Sequence, residues 1–328
     1  MLTSQKKATL TKWPFLIFCF IRYTFSMKEE LLTINGETFV FVKERNQMPV
    51  SIYKGQGCYI RIGPTEYIEQ EIAYHKNLER FGFPIPTIVS EGQHEDLQYF
   101  IETSLGEEHL GQIFTQNAGH NAEVTKNDFE MALPVFLKFT KAQLKTITIT
   151  PFDSVAFREF IKLENIIEEL PQLANLTEKA ITKAESRISQ LPTVLTHGDF
   201  NPYNIFETGV IDWEQGANAP LGYDLVTNVI QSMFFPITGD YEFKAGYRLT
   251  KEQITQYWQE LNALCADTVK NHISSYTNDF IFCREVWSVV RMERWPKIQS
   301  WRYTLYNALL TAYLADEDLT DFLLNYDT

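Results

Sequence analysis

The amino-acid sequence predicts an α+β protein with two lobes, a small antiparallel-sheet lobe containing one main helix and a larger helical lobe after it. Short runs of β-branched and aromatic residues fill residues 37–102, whereas long amphipathic helical patterns follow residue 105. A length of 328 residues is sufficient for two lobes. Hydrophobic residues at 45% and aromatic residues at 14% exclude a disordered chain.

The first lobe is predicted to span residues 27–104. The runs ETFVFVKE and VSIYKGQGCYIRIG are typical of strands, and the glycines of residues 55–57 predict a hairpin turn. The segment TEYIEQEIAYHKNLERFG repeats apolar residues at helical spacing, with Thr65 as the predicted N-cap and Gly82 as the stop. FPIPTIVSEG and LQYFIET predict two further strands. One helix among several strands is therefore expected here.

The second lobe is predicted to span residues 105–328 and to be mainly helical. NDFEMALPVFLKFTKAQLKTI predicts a helix that is kinked or interrupted at Pro134. TKEQITQYWQELNALCADTV predicts another, which opens with a capping box over residues 250–253. The last helical pattern covers residues 280–314 and is broken near Pro296.

Residues 1–26 differ from the rest of the chain, because they contain basic residues and no acid around the apolar run WPFLIFCFI. Nine residues are too few to span a bilayer, and no A-x-A-like cleavage site follows them. Three interpretations stay open. The leader is upstream sequence with Met27 as the true start, a membrane-associated segment, or an ordered N-terminal extension. N-terminal mass spectrometry of the native protein would distinguish them.

Charge and cysteine content restrict the partners and the compartment. A net charge of −13 argues against a nucleic-acid partner, which would require phosphate neutralisation. The four cysteines are widely spaced, without a CxxC pair, so we expect a reducing compartment. Apart from the leader no targeting signal is present, and we expect a cytoplasmic protein without an obligatory protein partner.

The stretch THGDFNPYNIFETGVIDWE, residues 196–214, concentrates the polar residues that point to chemistry. PTVLT and GVIDW predict strands on either side of it, with a hairpin turn before the second, so Asp199, Asn204 and Asp212 can converge. Asn204 and Asp212 offer the hard oxygen ligands that Mg²⁺ prefers. Asp199 can then face an incoming hydroxyl, which is an arrangement for phosphoryl transfer.

The pattern H-G-D-x-x-x-x-N followed by I-D-W-E resembles the catalytic loop and metal-binding segment of the aminoglycoside phosphotransferase and choline kinase-like family. YIRIGP, QEIAYHKNL, GFPIP and YFIETSLGEE follow the order of that family's ATP lobe and hinge. The resemblance implies a protein-kinase-like fold and Mg²⁺-dependent transfer of the γ-phosphate of ATP to a hydroxyl of a small molecule. The sequence does not choose between ATP and GTP as the donor.

The resemblance also implies roles for individual residues of the second lobe. Asp199 would be the catalytic base or the carboxylate that orients the substrate, and Asn204 and Asp212 would hold Mg²⁺. His197, in the catalytic loop, would brace that loop, and Asp224 would do the same. Glu214 joins the metal ligands or caps the next segment; the sequence leaves both open.

In the first lobe, the resemblance implies that Glu71 pairs with the phosphate-binding cation and that the backbone around Thr103 and Ser104 receives the adenine. Two departures stand out. Arg61 replaces the family's strand lysine, and a guanidinium is planar where an ammonium is a point charge. The segment ERNQMPVSIY, where a phosphate-covering loop is expected, contains no glycine to form a backbone cradle. Lys54 is a poorer substitute for the lysine, because its strand would not align it with Glu71.

Several of these residues have simpler interpretations. Arg61 can be a surface ion pair, and Glu71 can belong to a solvated acidic helix face. Trp287, Trp295 and Trp301 can stack on a cationic or sugar substrate, although their spacing is more typical of helix-packing core.

The acceptor is the least defined part of the prediction. From His197 to Thr328 there are eighteen Asp and Glu residues against nine Lys and Arg. An acidic lobe raises the local concentration of cations, which favours an aminoglycoside, choline or another amino-bearing alcohol. Homoserine, a methylthio sugar and a macrolide stay open.

Two other functions compete with a small-molecule kinase. A kinase acting on a protein would need an activation loop, but the path from Trp213 to APLGYDL is short and no A-P-E-like segment follows. A catalytically weak nucleotide-binding module fits the glycine-free loop. It does not explain why Asp199, Asn204 and Asp212 are all present, since each has a distinct role in transfer.

Overall fold

The sheet lobe, as we call the first part of the fold, contains six antiparallel strands in the order β1-β2-β3-β4-β6-β5. The computed structural model describes residues 30–45, 48–148, 151–290 and 295–326, so the predicted leader lies outside the described residues. The strands are β1 (Leu31–Ile34), β2 (Glu37–Glu44), β3 (Ser51–Lys54), β4 (Cys58–Gly63), β5 (Ile88–His94) and β6 (Leu97–Thr103). The antiparallel pairing of β3 with β4 confirms the predicted hairpin.

One helix, α1 (Thr65–Phe81), packs on this sheet. Its apolar residues Ile68 and Ile72 are buried together with Val50 and Phe100. Gly82 ends the helix as predicted, in the left-handed conformation that glycine adopts without strain. The predicted N-cap was wrong: Pro64 is the N-cap, with extended backbone and no side-chain cap, so the helix begins one residue earlier than expected.

The helical lobe, as we call the second part, follows β6 and carries the largest hydrophobic core of the described residues. Its helices are α2 (Leu110–Asn117), α3 (Lys126–Leu144), α4 (Ser154–Phe160), α5 (Leu163–Glu169), α6 (Ala174–Ile188), α7 (Tyr223–Ile230), α8 (Lys251–Cys265), α9 (Thr277–Val289), α10 (Pro296–Leu314) and α11 (Leu319–Asn325). The capping box of Thr250 and Gln253 is confirmed, as is the break before Pro296. Helix α3 continues through Pro134. The bilobal α+β prediction is therefore confirmed.

A short two-stranded sheet of β7 (Thr193–Thr196) and β8 (Ala217–Pro220) lies within the helical lobe and positions the polar motif. PTVLT forms β7 as predicted. GVIDW was predicted to be a strand, which is wrong: Val210 makes only an isolated bridge with Ile205. The backbone of Asp212 has φ +64°, so the chain leaves the extended conformation there.

No helix within the described ranges combines the length and the apolar character that crossing a bilayer requires.

Candidate active site

The loop after β7 turns sharply at Gly198, and the turn requires glycine. Gly198 has φ +80°, and a Cβ atom built there would lie 2.3 Å from the backbone oxygen of Gln215. A side chain would therefore meet both strain and a backbone clash. This close approach places Asp199, the next residue, beside the segment that contains Asp212.

His197 links the two segments. Its side chain is buried; Nε2 donates to the carbonyl oxygen of Ile211 at 2.7 Å, and Nδ1 accepts from the backbone N–H of Asp199 at 3.3 Å. Burial lowers the pKa of His197 from its ordinary value. With both ring nitrogens engaged and the ring neutral, the side chain braces the loop and has no nitrogen left for proton transfer.

Asp224, in the first turn of α7, binds the backbone of the same loop through its carboxylate. Its buried carboxylate accepts the N–H groups of His197 at 2.6 Å and Gly198 at 3.0 Å, and the side-chain amide of Gln143 at 2.8 Å. Burial raises the pKa of Asp224 to about 7, although these donors favour the ionised form. The bracing contacts expected of His197 and Asp224 are thus both present.

The structure brings Asp199 and Asn204 together and places the backbone before Asp212 against Asn204. The side-chain amide of Asn204 donates to the Asp199 backbone oxygen at 2.9 Å and to Asp199 Oδ2 at 3.3 Å. The backbone N–H of Ile211 donates to the carbonyl oxygen of Asn204 at 3.0 Å, which places Asp212 next to Asn204 along the chain path. No cluster of three His, Cys, Asp or Glu side chains suited to a metal occurs within the described ranges. A metal here would therefore rely on Asn204, Asp212 and substrate oxygens, which is how Mg²⁺ is usually bound.

The sequence interpretation missed Arg284, which α9 inserts against Asp199. Its side chain is 0% exposed; Nη2 lies 2.5 Å from Asp199 Oδ1, and Nη1 donates to the carbonyl oxygen of Gly198 at 2.8 Å. Burial of Asp199 favours the neutral acid, but Arg284 outweighs it, and the pKa of Asp199 is lowered. Arg284 comes 85 residues after its partner in an apolar helix, so no local pattern marks it.

On the sheet lobe, Arg61 and Glu71 approach each other as expected. Arg61 donates through Nε to Glu102 at 2.9 Å and lies 3.5 Å from Glu71 through Nη1. The side chains of Arg61 and Glu71 are 19% and 11% exposed, so this is not a surface ion pair. Lys54 pairs with Glu107 at 2.7 Å instead of with Glu71. The phosphate-binding role of Arg61 remains a prediction.

A second arginine, Arg45, was also missed. It follows β2 at the start of the glycine-free segment, and it pairs with Glu71 through Nη1 and with Glu214 through Nε at 2.6 Å. Glu71 belongs to the sheet lobe and Glu214 to the helical lobe, two residues after Asp212. Glu214 thus binds an arginine in this structure, and Arg45 crosses between the lobes beside the predicted metal ligand.

The predicted adenine contacts are less open than expected. The backbone N–H of Thr103 donates to the carbonyl oxygen of Thr87, and that of Ser104 donates to the carbonyl oxygen of Gly57, both at 2.9 Å. Neither amide can donate to a nucleotide in this arrangement. The adenine role of these two residues stays a prediction.

The three tryptophans divide between the core and the surface. Trp287 is buried, and its ring centroid lies 3.7 Å from the Arg284 guanidinium carbon. Trp301 is partly buried against the core. Trp295 is 44% exposed, so the core prediction was wrong for it; it stands at the N-cap of α10, where its ring packs edge-on against Phe243.

A model of the phosphotransferase enzyme family matches residues 58–264. Since the match covers more than half of the chain, the protein belongs to the phosphotransferase enzyme family. This membership confirms the resemblance predicted from the motif and, with the two lobes described above, the protein-kinase-like fold. No curated protein is similar enough to count as a match.

Solved structures with similar architecture include a thermostable mutant of the aminoglycoside phosphotransferase APH(4)-Ia, at 12% identity and TM-score 0.49, covering 84% of this chain and 94% of that one. A choline/ethanolamine kinase family protein from Mesorhizobium loti has 12% identity and TM-score 0.48, covering 83% and 90%. The aminoglycoside phosphotransferase APH(3'')-Id from Streptomyces rimosus, in complex with ADP and streptomycin, has 12% identity and TM-score 0.41, covering 73% and 90%.

Proposed function

We propose that this phosphotransferase is a small-molecule kinase, which moves the γ-phosphate of ATP to a hydroxyl group with Mg²⁺ held by Asn204 and Asp212. The observation that carries the proposal is the linked geometry of Asp199, Asn204 and the Asp212 segment. Hydrogen bonds join these three parts directly, over 2.9 to 3.3 Å. In phosphoryl transfer, catalysis is mostly positioning and electrostatic stabilisation, and this geometry supplies positioning.

Different residues of the site would bind the metal, orient the acceptor hydroxyl and hold the loop. Asn204 uses its amide nitrogen for Asp199, which leaves its amide oxygen to a metal together with the Asp212 carboxylate. Bound Mg²⁺ would neutralise charge on the phosphate oxygens. Asp199 keeps a side-chain exposure of 28%, so its carboxylate can accept a hydrogen bond from the acceptor hydroxyl. His197 and Asp224 keep the loop in place during transfer.

We further propose that residues 27–104 bind the nucleotide and residues 105–328 form the acceptor pocket. Arg61, braced by Glu71, would contact the phosphates, and the hinge at Thr103 and Ser104 would lie against the adenine. ATP is the donor we expect, with GTP as the alternative. We expect the reaction in the cytoplasm, where ATP and Mg²⁺ are both present.

The acceptor need not be cationic. The acidic character of the helical lobe favours a cation in general, but the nearest carboxylate, Asp199, is already paired with Arg284. Asp199 therefore contributes little net attraction for a cation. Aminoglycosides and amino alcohols remain first choices, and neutral and anionic hydroxyl compounds belong beside them.

The structure weighs against the two competing functions. Between Asp212 and α7 the chain forms a single 3₁₀ turn and β8, and residues 219–230 are buried, so the path to α7 is short for a loop that would receive a protein substrate. A binding module without catalysis would not require the hydrogen-bonded geometry of Asp199 and Asn204.

The test is ADP release from Mg²⁺-ATP against pools of aminoglycosides, amino alcohols, neutral sugars and hydroxy acids. We expect one pool to stimulate release by the wild-type protein and not by Asp199→Asn, which keeps the side-chain shape but removes its charge. Asp321→Asn, a surface change on α11, is the matched control and should behave like wild type. Nucleotide binding with no stimulation by any pool, or equal release by Asp199→Asn, would contradict the proposal.

A further inference from the structure

We propose that Arg284 is a positioning residue that fixes the catalytic carboxylate of Asp199, so that only Oδ2 faces the acceptor hydroxyl. The inference rests on the proposed function for what Asp199 does. Its structural content, that Arg284 determines where the carboxylate lies, can be tested separately.

The two oxygens of Asp199 have different surroundings. Oδ1 receives the Nη2 group of Arg284 at 2.5 Å. Oδ2 has a longer contact, 3.3 Å from the side-chain amide of Asn204. A hydrogen bond between two oppositely charged groups is shorter and stronger than one from a neutral amide donor, so Oδ1 is the oxygen that is held more firmly. Oδ2, on the side of the predicted metal ligand, is left to accept from a substrate.

Arg284 is itself held rigidly, which makes it suitable for positioning. Its Nε and Nη2 groups both donate to Gln231 Oε1 at 3.0 Å, and Nη1 donates to the carbonyl oxygen of Gly198. The guanidinium stacks on Trp287. Helix α9 is buried from Asp279 to Val289. The carboxylate is therefore connected through one side chain to a helix that is buried along almost its whole length.

A purely structural role does not account for a charged group here. A buried ion pair is often no more stabilising than apolar side chains of similar volume, so packing alone does not explain Arg284. Besides its contacts with Gln231 and Trp287, Arg284 makes two contacts with the loop, one to a carboxylate oxygen of Asp199 and one to the carbonyl oxygen of Gly198. Without the guanidinium, a carboxylate that is partly exposed could rotate toward water.

The consequence for transfer is geometric. Misplacement of a reacting group by about 1 Å can cost roughly 100-fold in rate. We expect Arg284→Met, which keeps the apolar stem but removes the donors, to lower kcat by about that factor while the KM for ATP changes little. Gln231→Leu, which frees one side of the guanidinium, should give an intermediate loss.

Three further measurements separate positioning from folding. Arg284→Lys should recover part of kcat, and added guanidinium ion should partly rescue Arg284→Ala. Arg187→Met is the matched control, because it removes another arginine that pairs with α9, through Asp279 at 2.8 Å, without touching the loop. It should lower thermal stability with little effect on kcat.

The decisive readout is the crystal structure of Arg284→Met. Displacement of the Asp199 carboxylate from its contact with Asn204 supports the inference, and an unmoved carboxylate overturns it. Unchanged kcat in Arg284→Met beside an active wild type would overturn it as well. If the wild-type protein phosphorylates no acceptor, the proposed function fails, but the crystal structure still decides whether Arg284 places Asp199.

Discussion

At the scale of single residues, Gly198 shows how one backbone position controls the site. It combines a φ of +80° with a neighbour, the Gln215 carbonyl oxygen, at 2.3 Å from where a Cβ atom would stand. The peptide that joins His197 to Asp199 can therefore approach the following segment only because a side chain is absent. Hydrogen bonds from Gly198 to Asp224 and from Arg284 to Gly198 then fix the loop on both sides.

We predict that Gly198→Ala displaces Asp199 and lowers turnover by at least about 100-fold, since the loop must move to relieve the clash. The left-handed backbone alone costs about 1–2 kcal/mol in an L-residue, and the clash adds to it. Turnover and the free energy of urea unfolding measure the two effects.

Gly36→Ala is the matched control for this change. Gly36 has nearly the same φ, +84°, but no atom lies within 4 Å of its virtual Cβ. The Gly36→Ala variant should lose only the free energy that a left-handed backbone costs an L-residue, and its turnover should stay that of the wild type. If Gly198→Ala behaves like Gly36→Ala, the close approach to Gln215 has no part in catalysis.

The candidate site residues that the sequence could indicate are those that lie close together along the chain. Asp199, Asn204 and Asp212 lie within fourteen residues, and the strand before them is an apolar run. Arg284 and Arg45 were missed because their partners lie 85 and 26 or more residues away. An arginine in an apolar helix is indistinguishable in sequence from one that extends its head group to solvent.

At the scale of helices and strands, too, the sequence predicted the features that depend on residues close together along the chain. The β3–β4 hairpin and the end of α1 follow from glycines that allow turns. GVIDW failed as a strand because its short apolar run ends at Asp212, where the backbone takes a positive φ and leaves the extended conformation. The pairing of β7 with β8, across twenty residues of loop and turn, could not be read from either strand alone.

The catalytic loop and the segment before Asp212 are separate elements joined through His197. Its ring accepts from one and donates to the other, so a second ring proton would turn Nδ1 from an acceptor into a donor facing the Asp199 N–H. Asp199, Asp212 and Arg284 are the charged groups around it. Burial of the ring affects the pKa of His197 more than these charges do, and it lowers that pKa below the ordinary 6.5.

We therefore predict that the contribution of His197 to stability falls as pH drops below about 6.5. There the unfolded chain binds a proton on this histidine before the folded protein does, and stability rises with pH wherever the unfolded state binds more protons. The contribution is present above that pH and is lost on acidification. Urea unfolding of the wild type and of His197→Gln, between about pH 5 and 8, should show the difference between them shrinking toward low pH.

His272→Gln changes an exposed histidine outside the site and controls for general effects of acid. A difference between wild type and His197→Gln that grows on acidification would contradict the assignment of a neutral, bracing ring.

At the scale of the whole molecule, Arg45 joins the two lobes through ion pairs, beside the residues that we propose bind the nucleotide. It binds Glu71 of the sheet lobe and Glu214 of the helical lobe. With Arg61 it faces three glutamates, Glu71, Glu102 and Glu214, so the cluster already has more negative than positive charge. We therefore expect Arg45, at the start of the glycine-free segment, to supply a side-chain cation to the phosphates in place of the backbone N–H groups of a glycine-rich loop.

We predict that Arg45→Met weakens binding of Mg²⁺ with a non-hydrolysable ATP analogue by about tenfold, or about 1.4 kcal/mol. The change leaves Glu71 and Glu214 without their shared cation beside the phosphates, and uncompensated carboxylates repel an anion. Calorimetric titration measures the affinity, and its dependence on salt should become shallower, because the attraction between Arg45 and the phosphates, which salt screens, is lost.

Two variants test whether position or net charge is responsible. Lys54→Met removes a cation that pairs with the exposed Glu107 outside the cluster, and it should leave the affinity almost unchanged. The double variant Arg45→Met with Glu214→Gln restores the charge balance of the cluster. It should regain most of the lost affinity if Arg45 acts through its charge. It should regain little if Arg45 contacts the phosphates directly. Tighter nucleotide binding by Arg45→Met would mean instead that Arg45 obstructs nucleotide binding. In that case its ion pairs with Glu71 and Glu214 would hold the lobes closed until the nucleotide displaces Arg45.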